Sequence, residues 1–96
     1  MQDVKRLELV VESRLAGRFL EALDTLGVSH RTVIPGIYGQ GQRGVRGGDP
    51  FSTFDNTYVL VVVPPDRVDE VVETLQPLLQ TAGGICLVSD AQWVSR

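Results

Sequence analysis

The chain has 96 residues, 43% of them hydrophobic and 22% charged, enough for a single domain over residues 1–96 and too few for a second. Its net charge of -3 leaves no basic footprint over the whole surface, which argues against duplex DNA or RNA as the main ligand. A domain this small buries only about 60 to 65% of the surface its unfolded chain exposes, so contacts with further copies are expected to help it.

From Val4 to Val11 the residues alternate, with Leu7, Leu9 and Val11 on one side and Arg6, Glu8 and Val10 on the other, which predicts a half-buried strand. The stretch before it, Met1-Gln2-Asp3-Val4-Lys5-Arg6, leads into no signal-peptide core. Ser13 stands where it can cap a helix whose apolar positions Leu15, Phe19, Ala22, Leu23 and Leu26 recur at helical spacing. Gly27 suits the left-handed residue that ends it. Val28 to Ile34 reads as a second strand stopped by Pro35-Gly36, and Thr57 to Val63 as a third, rich in β-branched residues. After Pro64-Pro65, Asp66 suits the N-cap of a second helix carrying Val68, Val71, Val72, Leu75, Leu78 and Leu79. Asp69 and Glu70 place negative charge in its first turn, and Ala82-Gly83-Gly84 ends it. Ile85 to Ser89 forms a fourth strand, with Gln92-Trp93-Val94 as a short edge piece. The lone Cys86 cannot form an internal disulfide and points to a reducing, cytoplasmic compartment. No apolar run approaches the roughly 20 residues that span a bilayer.

The order is βαββαβ, which predicts an α+β, ferredoxin-like domain: an antiparallel four-stranded sheet, both helices on one face, and a long loop between strands two and three. The third strand is apolar on both faces, with Tyr58, Leu60 and Val62 against Val59, Val61 and Val63, and the fourth sets Ile85 and Leu87 against Cys86 and Val88. A sheet wet on one side alternates with polar residues instead. The face without helices is therefore expected to pack against equivalent faces in a homo-oligomer.

Between strands two and three run about 20 residues, from Gly36 to Asn56, longer than a compact domain leaves without structure unless function resides there. Ordering such a loop costs about 1 to 2 kcal/mol per residue, and more at glycine, so a bound partner is expected to fix it. Its glycines let backbone N–H groups approach phosphate oxygens, and Arg43 and Arg46 offer charged forks that match phosphate or carboxylate. On composition alone, a solvated loop whose arginines meet only water stands equally open. No Gly-Lys-Ser or Gly-Lys-Thr follows the glycines, and the loop joins strand to strand, which excludes a P-loop and a dinucleotide fingerprint. Tyr38, Phe51 and Phe54 either stack on a base or anchor the loop to the sheet edge.

In element order nearly the whole chain resembles the PII signal-transduction superfamily. The segment Gly39-Gln40-Gly41-Gln42-Arg43-Gly44-Val45-Arg46 is similar to the Gly-x-Gly-x-Arg-x-Val-Arg pattern of PII-like proteins encoded beside bicarbonate transporters and carboxysomes. The resemblance implies a homotrimer whose long T-loop, here 36–56, changes order when adenine nucleotides bind between subunits. It implies that Gly39 and Gly41, with Gln40 between them, border the nucleotide by backbone contacts, that Arg43 and Arg46 bind its phosphates, and that Thr32 lies near the base. Gly83, Gly84 and Ile85 occupy, with Ala82, the place of the family's B-loop, which closes the pocket from the neighbouring subunit. The implied ligands are ADP or AMP, with ATP and cyclic AMP as further candidates, and bicarbonate. The implied role is regulatory, without catalysis or a catalytic cofactor: control of inorganic-carbon uptake through a membrane transporter or a carboxysome protein.

Two departures shape that expectation. The classical nitrogen-regulatory members carry a Gly-Asp-Gly-Lys B-loop and basic residues after the last strand, whereas here the B-loop is uncharged and the tail offers only Arg96. ATP, with its third phosphate, is expected to be held less well than ADP or AMP. Tyr38 sits at the base of the loop, so a tyrosine modified at its tip and a 2-oxoglutarate response are not expected.

Other readings fit less well. Acylphosphatases share this length and element order and use an arginine in the loop after strand one together with an asparagine, but Val11-Glu12-Ser13-Arg14-Leu15 lacks their glycine-rich phosphate cradle. An oligomeric ferredoxin-like assembly module, or a sensor of another small metabolite without nucleotide, is the principal alternative. His30 lacks partners for metal binding or base catalysis, and Cys86 has no histidine at a recognisable spacing. The carboxylates Asp66, Asp69, Glu70 and Glu73 fall opposite the apolar stripe of their helix, as solvated charges do. Trp93 is expected at a subunit edge.

Overall fold

The computed structural model of the chain describes residues 1–37 and 55–94, together with the backbone pairing of 40–41 and 44–45. β1 (Gln2–Glu12) passes through a 3₁₀ turn at Ser13–Leu15 into α1 (Ala16–Thr25). β2 (Arg31–Ile37) follows, then the short strands β3 (Gln40–Gly41) and β4 (Gly44–Val45), and β5 (Asn56–Val63). A 3₁₀ turn at Pro65–Arg67 opens α2 (Val68–Ala82), and β6 (Ile85–Trp93) completes the sheet. The main sheet runs β2-β5-β1-β6 with every pairing antiparallel, the ferredoxin-like order expected. β3 and β4 pair separately, Gln40 opposite Val45 and Gly41 opposite Gly44.

Directly paired residues share a face of a sheet. Leu7 and Leu9 lie opposite Val61 and Val59, and all four are sealed from solvent beneath the helices. Phe19 and Leu23 of α1 and Val71 and Leu75 of α2 complete this core, each contributing about 1.5 to 3 kcal/mol by leaving water. Two arginines from neighbouring elements hold α1 and its C-cap residue. Arg31 lies opposite Val61, on the helix side, and donates through Nη1 to the Leu20 carbonyl at 3.2 Å while pairing with Asp24 at 2.7 Å. Arg67 Nη2 donates to the Leu26 carbonyl at 2.6 Å.

Several local expectations are corrected. Ser13 does not cap α1, which starts without any side-chain cap; its hydroxyl lies 2.7 Å from Thr57 Oγ1 instead. Forgoing such a cap costs about 1 kcal/mol. Asp66 sits inside the 3₁₀ turn, and α2 begins after Arg67, again with no side-chain cap. β2 starts at Arg31, because the preceding residues are spent on a turn in which the Val28 N–H donates to the Leu23 carbonyl and the Arg31 N–H to the Ser29 carbonyl. It also runs through Pro35-Gly36: a register shift between Ile34 and Ile37 absorbs them, with Gly36 at φ 73°. β6 is continuous from Ile85 to Trp93, so the expected short edge piece belongs to the same strand. Among the described residues, no helix is long and apolar enough to cross a membrane.

Candidate functional site

Both roots of the long loop meet at one end of the sheet. Ile37 on β2 pairs with Asn56 on β5, and Asn56 pairs with Glu12 on β1, so the three form a row about 10 Å long at the spacing of neighbouring strands. Gly84 closes on the next strand position. A Cβ there would lie 2.8 Å from the Val10 carbonyl oxygen and 3.0 Å from Val11 Cγ1, and φ is +109°, so the chain requires glycine at this point. Gly83 ends α2 at φ 75°, its N–H donating to the Leu79 carbonyl at 2.8 Å. Each glycine of this pair therefore has a packing reason of its own, independent of any ligand.

The remaining residues singled out in the sequence fall in three places. Ile85 opens β6 opposite Val10, beside the glycine pair, and is exposed. Thr32 lies opposite Leu60, exposed on the face away from the helices and about 13 Å along β5 from Asn56 at strand rise. Gln40 and Gly41 constitute β3, placed by their backbone pairing with β4. Gly39, Arg43 and Arg46 lie outside the described residues, as do Tyr38, Phe51 and Phe54.

Sequence reasoning missed a buried polar group at the same end. Glu12, Asn56 and Thr57 are only 5%, 5% and 3% exposed. Burying a carboxylate without partners is expensive; Glu12 accepts from Arg14 Nε at 3.2 Å. The Ser13 N–H donates to the Asp55 carbonyl at 2.9 Å, beside the Ser13–Thr57 hydroxyl contact. The available signal was matched polarity: β1 ends and β5 begins with polar residues, and these ends pair.

The uncovered face mixes exposed apolar residues with a hydrogen-bonded polar cluster. Ile34 on β2 and Ile85 and Leu87 on β6 are exposed, Leu87 to 59%. Between them Tyr58 donates to Glu8 Oε2 at 3.0 Å, and Arg6 Nε reaches Glu8 Oε1 at 3.5 Å and Ser89 Oγ at 3.1 Å. Desolvation, then the bond to Glu8, pushes the Tyr58 phenol above its ordinary value. Trp93 meets His30 of its own chain edge to face, ring centroids 5.4 Å apart, while remaining exposed. A shallow cavity of about 420 Å³ beside the Lys5–Asp90 ion pair, lined also by Asp3, Pro65 and Gln92, lies at the opposite end of β1 from the loop roots. Among the described residues no cluster of side chains is able to hold a metal ion.

This architecture, with a long loop rooted in β2 and β5, is the α+β ferredoxin-like fold of PII-like signalling proteins. The chain belongs to the P-II family, whose sequence pattern, described as nitrogen regulatory protein P-II, matches residues 4–96. Among solved structures it is similar to CPII, a nitrogen regulatory PII-like protein from Thiomonas intermedia K12 bound to ADP, AMP and bicarbonate. The TM-score is 0.83 at 26% identity, over 95% of this chain and 88% of that one. CPII bound to ADP and bicarbonate gives 0.82 at 25% identity, over 95% and 88% of the two chains. A putative PII-like signalling protein from Thermus thermophilus shares the fold, with a TM-score of 0.77 at 24% identity over 97% and 91%. No curated protein sequence matches the chain.

Proposed function

We propose that this PII-like regulatory protein binds ADP or AMP, with bicarbonate as a second ligand, and controls inorganic-carbon uptake or carboxysome function through the order of its 36–56 loop. The likeness to CPII carries this reading, since that protein was captured with ADP, AMP and bicarbonate. In this assignment Gly39, Gln40 and Gly41 border the nucleotide through their backbone, Arg43 and Arg46 take its phosphates, and Thr32 faces the base. Gly83, Gly84 and Ile85 close the pocket of a neighbouring subunit. The exposed apolar edges of the helix-free face support a homotrimer in which that face is covered. The protein acts in the cytoplasm on a transporter or carboxysome component and catalyses no reaction. A nucleotide that favours one loop state by a few kcal/mol is enough for such a switch.

Calorimetry with AMP, ADP, ATP and cyclic AMP, each with and without bicarbonate at fixed pH, tests the proposal. ADP or AMP is expected to saturate at about one site per subunit, with the charge-assisted phosphate contacts, and so most of the affinity, lost in Arg43→Ala/Arg46→Ala. Absence of heat with every nucleotide would leave the oligomeric assembly module, or a sensor of a different metabolite, as the better reading.

A further inference from the structure

The only tryptophan and the only histidine of the chain touch each other. Trp93 ends β6 and His30 stands just before β2, at the opposite border of the sheet, yet their rings meet edge to face at 5.4 Å and 60°. Contacts of this kind fix the orientation of a ring. By alternation along β6, Trp93 shares the helix-free face with Ser89, whose hydroxyl accepts from Arg6. Val4 falls on that face by the alternation of β1, is only 8% exposed, and stands outside the core beneath the helices. This end of the face therefore has a cover of its own, and the ring pair is what reaches across it.

The pair borders the position assigned above to the base. Thr32 follows His30 on the same face, about 7 Å along at strand rise, and is exposed. Half-buried Leu60 lies opposite Thr32, and the Val62 N–H donates to the His30 carbonyl at 3.1 Å, which sets Val62 beside Leu60 on that face. A purine needs apolar area, a hydrogen-bonding partner and an aromatic plane to stack on. Trp93 offers the plane, since it keeps 40% exposure although it is engaged with His30.

We infer that Trp93 is the residue that stacks on the base of the nucleotide, and that His30 is a positioning residue that holds the indole in place. The inference rests on the nucleotide reading above and adds to it a specificity-determining residue on the last strand. Because the indole is held before the ligand arrives, little rotamer freedom is lost on binding. A two-ring purine offers more area to stack than a one-ring pyrimidine carrying the same phosphates, so the plane selects for purine.

As the only tryptophan, Trp93 reports on the site by its own fluorescence. Saturating ADP is expected to quench or shift that emission in the unaltered protein. Trp93→Leu keeps apolar bulk without the ring and is expected to weaken ADP binding about tenfold or more, and Trp93→Phe about threefold. Calorimetry with ADP and CDP adds a readout that a merely structural role would not move: Trp93→Leu weakens ADP more than CDP, so the preference for ADP shrinks. His30→Ala is expected to weaken ADP about threefold and to reduce the near-ultraviolet circular dichroism of the indole, and His30→Phe to restore both. Unchanged emission at saturation, unchanged ADP affinity in Trp93→Leu, or equal losses for ADP and CDP overturns the stacking role while the nucleotide reading stands. Should Trp93→Leu fail to fold, the emission of the unaltered protein and the ADP-to-CDP preference of Trp93→Phe decide in its place. Should the unaltered protein bind no ADP, the nucleotide reading falls and the stacking role falls with it.

Discussion

Leu7 and Leu9 on β1 are sealed beneath the helices, whereas Arg6 and Glu8, their neighbours on the same strand, face the side that no helix covers. The covered side is apolar at its core and draws its strength from area removed from water. The open side mixes exposed Ile34, Ile85 and Leu87 with a hydrogen-bonded cluster of Arg6, Glu8, Tyr58 and Ser89. A surface meant only for water has no need of the exposed apolar residues, and a core has no need of the polar cluster. The pairing of the two suits a face that packs against other copies while keeping its polar groups satisfied within each one.

The sharpest way to break the comparison is to hollow out the covered side. Phe19→Ala is expected to cost about 3 to 5 kcal/mol in urea unfolding, measured at fixed subunit concentration because assembly would add its own linkage. A loss below about 1 kcal/mol would mean that the helices contribute little and that the open face carries the fold. Gly84→Ala comes next, at about 1 to 3 kcal/mol, because it combines positive φ with a Cβ driven against the Val10 carbonyl. Gly17→Ala is its control: a Cβ there meets nothing within 4 Å, so the same change in α1 is expected to stabilise by roughly 0.5 to 1 kcal/mol. Equal effects at the two glycines would show that backbone entropy, not the approach of Gly84 to β1, sets the requirement.

The contrast between faces was largely legible in the sequence, because the alternation of β1 and the two-sided apolarity of β5 depend only on neighbours along a strand. What escaped depended on distant partners. Ser13 is drawn from its capping role by Thr57, 44 residues away. β6 looked broken at Ser89 and Asp90, but Arg6 and Lys5 on β1 hold these two polar residues, which lets the strand continue to Trp93. Pro35-Gly36 stops most strands, yet an outer strand tolerates it through a bulge. At the candidate site, the glycines of 83–84 were legible as special positions, while the buried Glu12, Asn56 and Thr57 were not, since each is polar and looks solvated until the strand ends are paired.

The smallest expected effect probes the polar cluster of the open face. Tyr58→Phe removes the bond to Glu8 and is expected to cost about 1 kcal/mol at neutral pH. Its sharper signature is in alkali. The folded phenol titrates above its unfolded value near 10, so the unfolded chain releases its proton first as pH rises. The stabilisation tied to that shift is complete below the unfolded value and drains away as pH climbs through the folded one, an alkaline decline that Tyr58→Phe should flatten. Urea midpoints between pH 8 and pH 11, compared for the two proteins, decide the matter. Parallel curves would mean that the phenol is no more shielded in the folded protein than in the unfolded chain, and the polar cluster would then be ordinary wet surface. Converging curves would place a desolvated hydroxyl in the middle of the helix-free face, the condition expected of a surface covered by its own copies.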